Sequence, residues 1–147
     1  MSRFNTIEEV LDFAIKQEIK SYSFYLELAD FVEQPEMAKV LNDLALEELR
    51  HKAKLEAVRT GQIALDEEEV SNLGIAECVN DIVPDAKIDY IEMLVVGMRR
   101  EEQARRLYTN LASIALNQQI KEIFTQLAHE EAGHKLRFEI EYELMTF

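Results

Sequence analysis

Apolar residues recur along this chain at steps of three and four, the pattern of helices that each bury one face. Four long segments carry it. Helix A is expected over about 6–32, with Asn5 or Thr6 as cap, Glu8 or Glu9 three residues on, and a seam of Ile7, Leu11, Ala14, Tyr22 and Tyr25. "EQPE" breaks the chain, and Pro35 suits the first turn of the next helix. Helix B is expected over about 36–59, with a seam of Met37, Leu41, Leu44, Leu55 and Val58, stopping at Thr60-Gly61. Helix C is expected over about 85–116, after Pro84, with Leu94, Gly97 and Tyr108 on its seam. Asn117 marks a tight break, and helix D is expected over about 118–145 with Ile120, Phe124, Leu127 and Phe138 inward.

The tight A–B and C–D connections make two antiparallel hairpins. The stretch of about 60–84, with "LDEEEVSNLGIAECVND", is long enough to return a helix length of roughly 35 Å at about 1.5 Å per residue. Four helices with one long B–C crossover predict an all-α, ferritin-like four-helix bundle. At 147 residues it is expected to be a single domain.

Pairing residues 1–59 with 84–142 shows that the second hairpin repeats the first. Thirteen of those 59 pairs are identical. They include Glu18 with Glu101, Tyr25 with Tyr108, Glu47-Glu48 with Glu130-Glu131, and His51-Lys52 with His134-Lys135. The repeat also copies an anomaly. Helix B carries Glu48 and His51 where its seam should be apolar, and helix D carries Glu131 and His134 at the matching places. Helices A and C have one interruption each, Glu18 and Glu101. Glu18 lies 16 residues before Gln34 and Glu48 lies 14 after it; Glu101 and Glu131 stand in the same relation to Asn117. On antiparallel helices all four carboxylates then fall near one level. The i, i+3 spacing of each Glu-x-x-His puts both side chains on one face.

Composition narrows the function. Only four Gly and two Pro occur, consistent with long helices, and the net charge of −13 argues against nucleic acid and anionic membrane surfaces as partners. No stretch is long enough to span a membrane, and "MSRFNTIEEV" has no apolar signal region, so the expected location is the cytoplasm. Cys78 is the single cysteine, which rules out an internal disulfide and a Cys-x-x-Cys knuckle.

Four carboxylates converging inside an apolar bundle repel one another and lose hydration, at several kcal/mol per unpaired ion. Protonation would relieve this. A pair of divalent metals does so better: Glu oxygens and His nitrogens suit iron or manganese, with one imidazole for each metal. Two metals about 3.5–4 Å apart, bridged by carboxylates, form a two-metal site, and this ligand pattern is that of di-iron and di-manganese bundle proteins. The candidate metal and catalytic residues are therefore Glu18, Glu48, His51, Glu101, Glu131 and His134.

Over nearly its full length the chain resembles the rubrerythrin-like branch of the ferritin-like superfamily. The segments that carry the likeness are "AIKQEIKSYSFYLELA", "LALEELRHKAKLE", "MRREEQARRLYTNLA" and "LAHEEAGHKLRFEIEY". The resemblance implies a non-haem centre of two Fe ions that reduces hydrogen peroxide or dioxygen with electrons from a redox partner, and all six ligand positions are matched. Two features depart from it. Many rubrerythrins carry a C-terminal rubredoxin domain with four Cys, and this sequence lacks those residues. The donor is therefore expected to be external, a rubredoxin-like or flavin reductase partner. Rubrerythrins also tend to have a second Glu three residues from the helix C ligand, where this chain has Met98 and Ala104.

Other polar residues receive lesser roles. Tyr22, one turn from Glu18, is the better candidate to support a ligand, and Arg105, its repeat partner, is placed to pair with a carboxylate of the other half. Tyr25 and Tyr108 share the ligand face and read first as core aromatics with a tethered hydroxyl, with a bond to a ligand carboxylate or electron transfer as the alternative. Glu47 and Glu130 are expected to face water or the shell around the ligands. His129 reads as surface, Cys78 as a small buried residue, and "DEEE" at 66–69 as a solvated helix start. The alternatives are a ferritin-like ferroxidase that stores iron in a hollow shell, a di-manganese catalase-like enzyme, and a scaffold bundle that keeps the ligands as buried polar residues. A reductase is expected to work as a homodimer.

Overall fold

The structure, a computed structural model, describes residues 6–61, 89–115 and 117–146, the side chain of Ile7 excepted. Four helices follow in order: α1 (Ile7–Phe31), α2 (Pro35–Thr60), α3 (Tyr90–Ser113) and α4 (Gln118–Thr146). Local chemistry sets their ends. The Thr6 hydroxyl accepts from the Glu9 amide at 3.2 Å and opens α1. Pro35 starts α2, and Gly61 closes it with its amide on the Ala57 carbonyl. The Asn117 side chain accepts from the amide of Gln119 at 2.7 Å and opens α4.

The expected start of helix C near Asp85 is corrected. Asp89 is extended, and its carboxylate accepts from the Glu92 amide at 2.8 Å, so Asp89 is the cap and the helix begins at Tyr90. The end also falls earlier than 116. The amides of Ile114 and Ala115 turn back to the carbonyls three residues before them, which tightens the last turn after Ser113. The readings of Cys78, of "DEEE" and of the crossover lie outside the described residues.

α1 packs along α2 and α3 along α4 as hairpins; α1 also lies beside α3, and α2 beside α4. Contacts between hairpins run in reverse order, Glu18 with Tyr108 and Ser21 with Arg100, so α1 and α3 are antiparallel. Each hairpin reverses direction, so α2 and α3 run parallel, which is the ferritin-like four-helix arrangement.

The core is split. One apolar cluster gathers Val10, Leu11, Leu55, Leu107, Leu111, Phe124 and Leu127 at one end of the bundle. The other gathers Phe24, Leu28, Leu41, Met93, Leu94 and Phe138 at the opposite end. Between them sit the buried polar residues Glu18, Ser21, Glu48, His51, Arg100, Glu101, Glu131 and His134. Gly97 lets α3 approach α4 there: a Cβ on it would stand 2.9 Å from Cζ of Phe138.

Candidate metal centre

Each helix delivers its seam interruption to the same layer. All six candidate residues are 4% exposed or less. Their ligand atoms form two overlapping sets, each within 4.8 Å: Glu18, Glu48, His51 and Glu131, and Glu48, Glu101, Glu131 and His134. Glu48 and Glu131 belong to both sets. Glu18 with His51, from the first hairpin, and Glu101 with His134, from the second, belong to one each. Spacing along the sequence brought the six residues together but could not tell the shared carboxylates from the unshared ones.

Both histidines turn Nδ1 toward the carboxylates. His51 Nδ1 lies 2.9 Å from Glu131, 3.6 Å from Glu18 and 3.9 Å from Glu48. His134 Nδ1 lies 2.9 Å from Glu48, 3.5 Å from Glu131 and 3.6 Å from Glu101. Nε2 of each ring points away from the cluster. His134 Nε2 is bonded to Glu47, and His51 Nε2 lies 3.7 Å from Glu130.

Burial and the mutual repulsion of the carboxylates set the electrostatics of the cluster. Burial first, then Glu48, pushes Glu18 well above the ordinary carboxylate range; burial, then Glu101 and Glu48, does the same to Glu131. Burial would also raise Glu48, but the neighbouring Glu18 carboxyl and the His134 imidazole outweigh it and hold Glu48 at about 2. Burial alone would lower His134, yet the carboxylates of Glu101 and Glu48 beside it raise it to about 11. Many buried atoms remain without a hydrogen-bond partner among the described residues: Glu18 Oε2, Glu48 Oε2, both oxygens of Glu101, Glu131 Oε1 and both nitrogens of His51. Native proteins leave few such groups unexplained. Orphaned oxygens and an imidazole nitrogen facing one small volume are the donor set of a metal site, and the residues present fit one.

The surrounding residues correct several expectations. Tyr108 is the core aromatic expected, stacked near Phe124, and its hydroxyl is tethered by donating to Glu18 Oε1. Tyr25 is fully buried between Phe24 and Phe138, and its hydroxyl has no partner among the described residues. Tyr22, the expected support for Glu18, packs half-buried against the apolar cluster instead. Arg105 does not reach a site carboxylate; it pairs with Glu102 at 2.7 Å on its own helix. His129 is exposed, as expected. Sequence reasoning passed over Arg100, which is buried, donates to Ser21 Oγ at 3.3 Å and lies 5.5 Å from the centre of the Phe24 ring. Its neighbour Arg99 is exposed, and nothing in the Arg-Arg run distinguishes the two.

Comparison with known proteins agrees with the geometry. A family model described as Rubrerythrin matches residues 9–85 and 92–146. Among solved structures, a hypothetical protein from Pyrococcus furiosus is 26% identical. The match covers 93% of this chain and 88% of that one, with a TM-score of 0.68. No curated protein gives a significant match.

Proposed function

Because this chain belongs to the rubrerythrin family, we propose that its buried cluster holds two iron ions and that the protein is a cytoplasmic oxidoreductase that reduces hydrogen peroxide with electrons from an external donor. The observation that carries this reading is the pair of overlapping ligand sets that share Glu48 and Glu131. Glu18 and His51 would hold one ion, Glu101 and His134 the other, and Glu48 and Glu131 would serve both. Manganese suits the same oxygen and nitrogen donors, and metal analysis of purified protein decides between the two. Two iron ions held by these residues would supply the two electrons that, with two protons, reduce hydrogen peroxide to water.

The chain's own residues prepare that chemistry. Two apolar clusters above and below the polar layer keep bulk water from the carboxylates. Tyr108 holds one oxygen of Glu18 and leaves Oε2 for the metal. This reading assigns re-reduction of the centre to a rubredoxin-like or flavin reductase partner. No helix among the described residues is long and apolar enough to cross a membrane.

Rapid mixing of the reduced, iron-loaded protein with peroxide or with air-saturated buffer tests the reading. Peroxide should oxidise the centre much faster, once, and repeatedly only when a reductase is added; the protein should run as a homodimer. Faster oxidation by dioxygen, with iron accumulating far beyond two per chain in a large shell, would establish the storage reading instead.

A further inference from the structure

The residue before each shared carboxylate is itself a glutamate, and the two pairs cross. Glu47, on α2, meets Nε2 of His134 on α4; Glu130, on α4, faces Nε2 of His51 on α2 at 3.7 Å. Each hairpin thus places a carboxylate beside the outer nitrogen of the other hairpin's histidine: Glu47 is hydrogen-bonded to His134 Nε2, whereas Glu130 Oε2 and His51 Nε2 face each other without a hydrogen bond. These two glutamates differ from the six site residues in one respect. Their side chains are 35% and 29% exposed, so they lie at the rim of the buried layer, not within it.

An imidazole carries one proton when neutral, and the nitrogen that binds a metal must be the one without it. A carboxylate acceptor on Nε2 keeps the proton there, fixes the ring plane and leaves the Nδ1 lone pair aimed at the cluster. We propose that Glu47 and Glu130 are positioning residues for the metal centre, each orienting the histidine of the opposite hairpin. This inference rests on the two-metal reading above. The two glutamates are unequal. Glu47 is in direct contact with its histidine, whereas Glu130 stands off and also lies 3.8 Å from Lys54 Nζ. Glu47 therefore governs the ion held by His134 more tightly than Glu130 governs the ion held by His51.

Cobalt(II) is a suitable probe, because its visible absorption reports ligand geometry independently of turnover. Equilibrium dialysis and absorption titration would compare the unmodified protein with Glu47→Ala, Glu47→Gln, Glu130→Ala and Glu130→Gln, with helical content checked for each. Glu47→Ala should weaken one of two cobalt ions by about 10–100-fold, shift its absorption band and leave the second ion in place. Glu47→Gln should recover most of the loss, because its amide oxygen accepts from Nε2–H. Glu130→Ala should show a smaller loss at the other ion. Unchanged affinity and spectrum in Glu47→Ala would overturn the proposal, as would a Gln variant no better than Ala. Failure of the unmodified protein to bind cobalt would overturn the two-metal reading itself.

Discussion

The imidazole rings of His51 and His134 lie stacked, their centroids 5.8 Å apart and their planes within 8°. They occupy equivalent places in the two hairpins, and each presents Nδ1 to its own set of carboxylates. This pairing divides the centre into two halves joined by Glu48 and Glu131. Purified protein loaded with Fe(II) should therefore hold about two ions per chain. Glu18→Ala should remove one ion, and Glu48→Ala combined with Glu131→Ala should remove both. Two ions retained by that double variant, measured by metal analysis, would contradict the assignment.

Without metal, the protein should lose stability as the pH rises. Unfolded, Glu18 and Glu131 give up their protons near pH 4.5; folded, burial and neighbouring carboxylates keep those protons on to a higher pH. In that window the folded state binds more protons, so stability falls with rising pH. His134, raised to about 11, adds the same sign above pH 6.5. His51, lowered first by burial, acts oppositely below pH 6.5, and the contribution of Glu48 is lost only as the pH falls below 4.5. Thermal melts of metal-free protein should give a lower Tm at pH 8 than at pH 5.5, and bound metal should remove most of the difference. A flat profile without metal would show that the carboxylates are not crowded together.

Tyr108 and Tyr25 are repeat partners with unequal duties. Tyr108→Phe should cost about 1–3 kcal/mol in urea unfolding of metal-free protein, since it leaves a buried oxygen of Glu18 without its donor. Tyr25→Phe should not destabilise and should raise stability by up to about 1–3 kcal/mol, because it removes a buried hydroxyl that has no partner among the described residues. Equal costs at the two positions would contradict the asymmetry.

Two glycines should respond oppositely to alanine. At Gly97 the added methyl meets the buried Phe138 ring, and overpacking of about 1–3 kcal/mol outweighs a helix gain of up to about 1 kcal/mol. At Gly133 nothing lies within 4 Å, so alanine should stabilise by about 0.5–1 kcal/mol. Urea midpoints that move in the same direction for both would show that α3 and α4 do not approach closely at Gly97.

The convergence of six polar residues was legible because a buried seam tolerates few interruptions, and these occurred in repeat at matched heights. Which oxygens lie where was not legible, since helical spacing fixes a face and leaves side-chain reach open. Tyr25 and Tyr108 follow their glutamates by the same seven residues, yet only Tyr108 finds a carboxylate. Arg105 looked equally able to reach inward, but Glu102, three residues earlier on the same helix, offers a nearer partner at less entropic cost. Asp89 was missed as a cap because Pro84 offered an earlier start signal in the sequence. The crossing of Glu47 and Glu130 depends on how α2 lies against α4, which no pattern within a single helix records.

One hairpin carries Glu18, Glu48 and His51, and the other Glu101, Glu131 and His134. A hairpin paired with a copy of itself about a twofold axis would present the complete donor set. A gene of half this length would thus have sufficed for an ancestral centre, with the symmetry axis running between the two ions. Fusion of two such genes releases each half from the need to match the other. Tyr22 opposite Arg105, and one tyrosine hydroxyl bonded where its counterpart is not, are differences that a single chain permits and a symmetric pair does not. Two ions held by such unequal halves would be chemically distinct, and each could be tuned by substitutions in its own half.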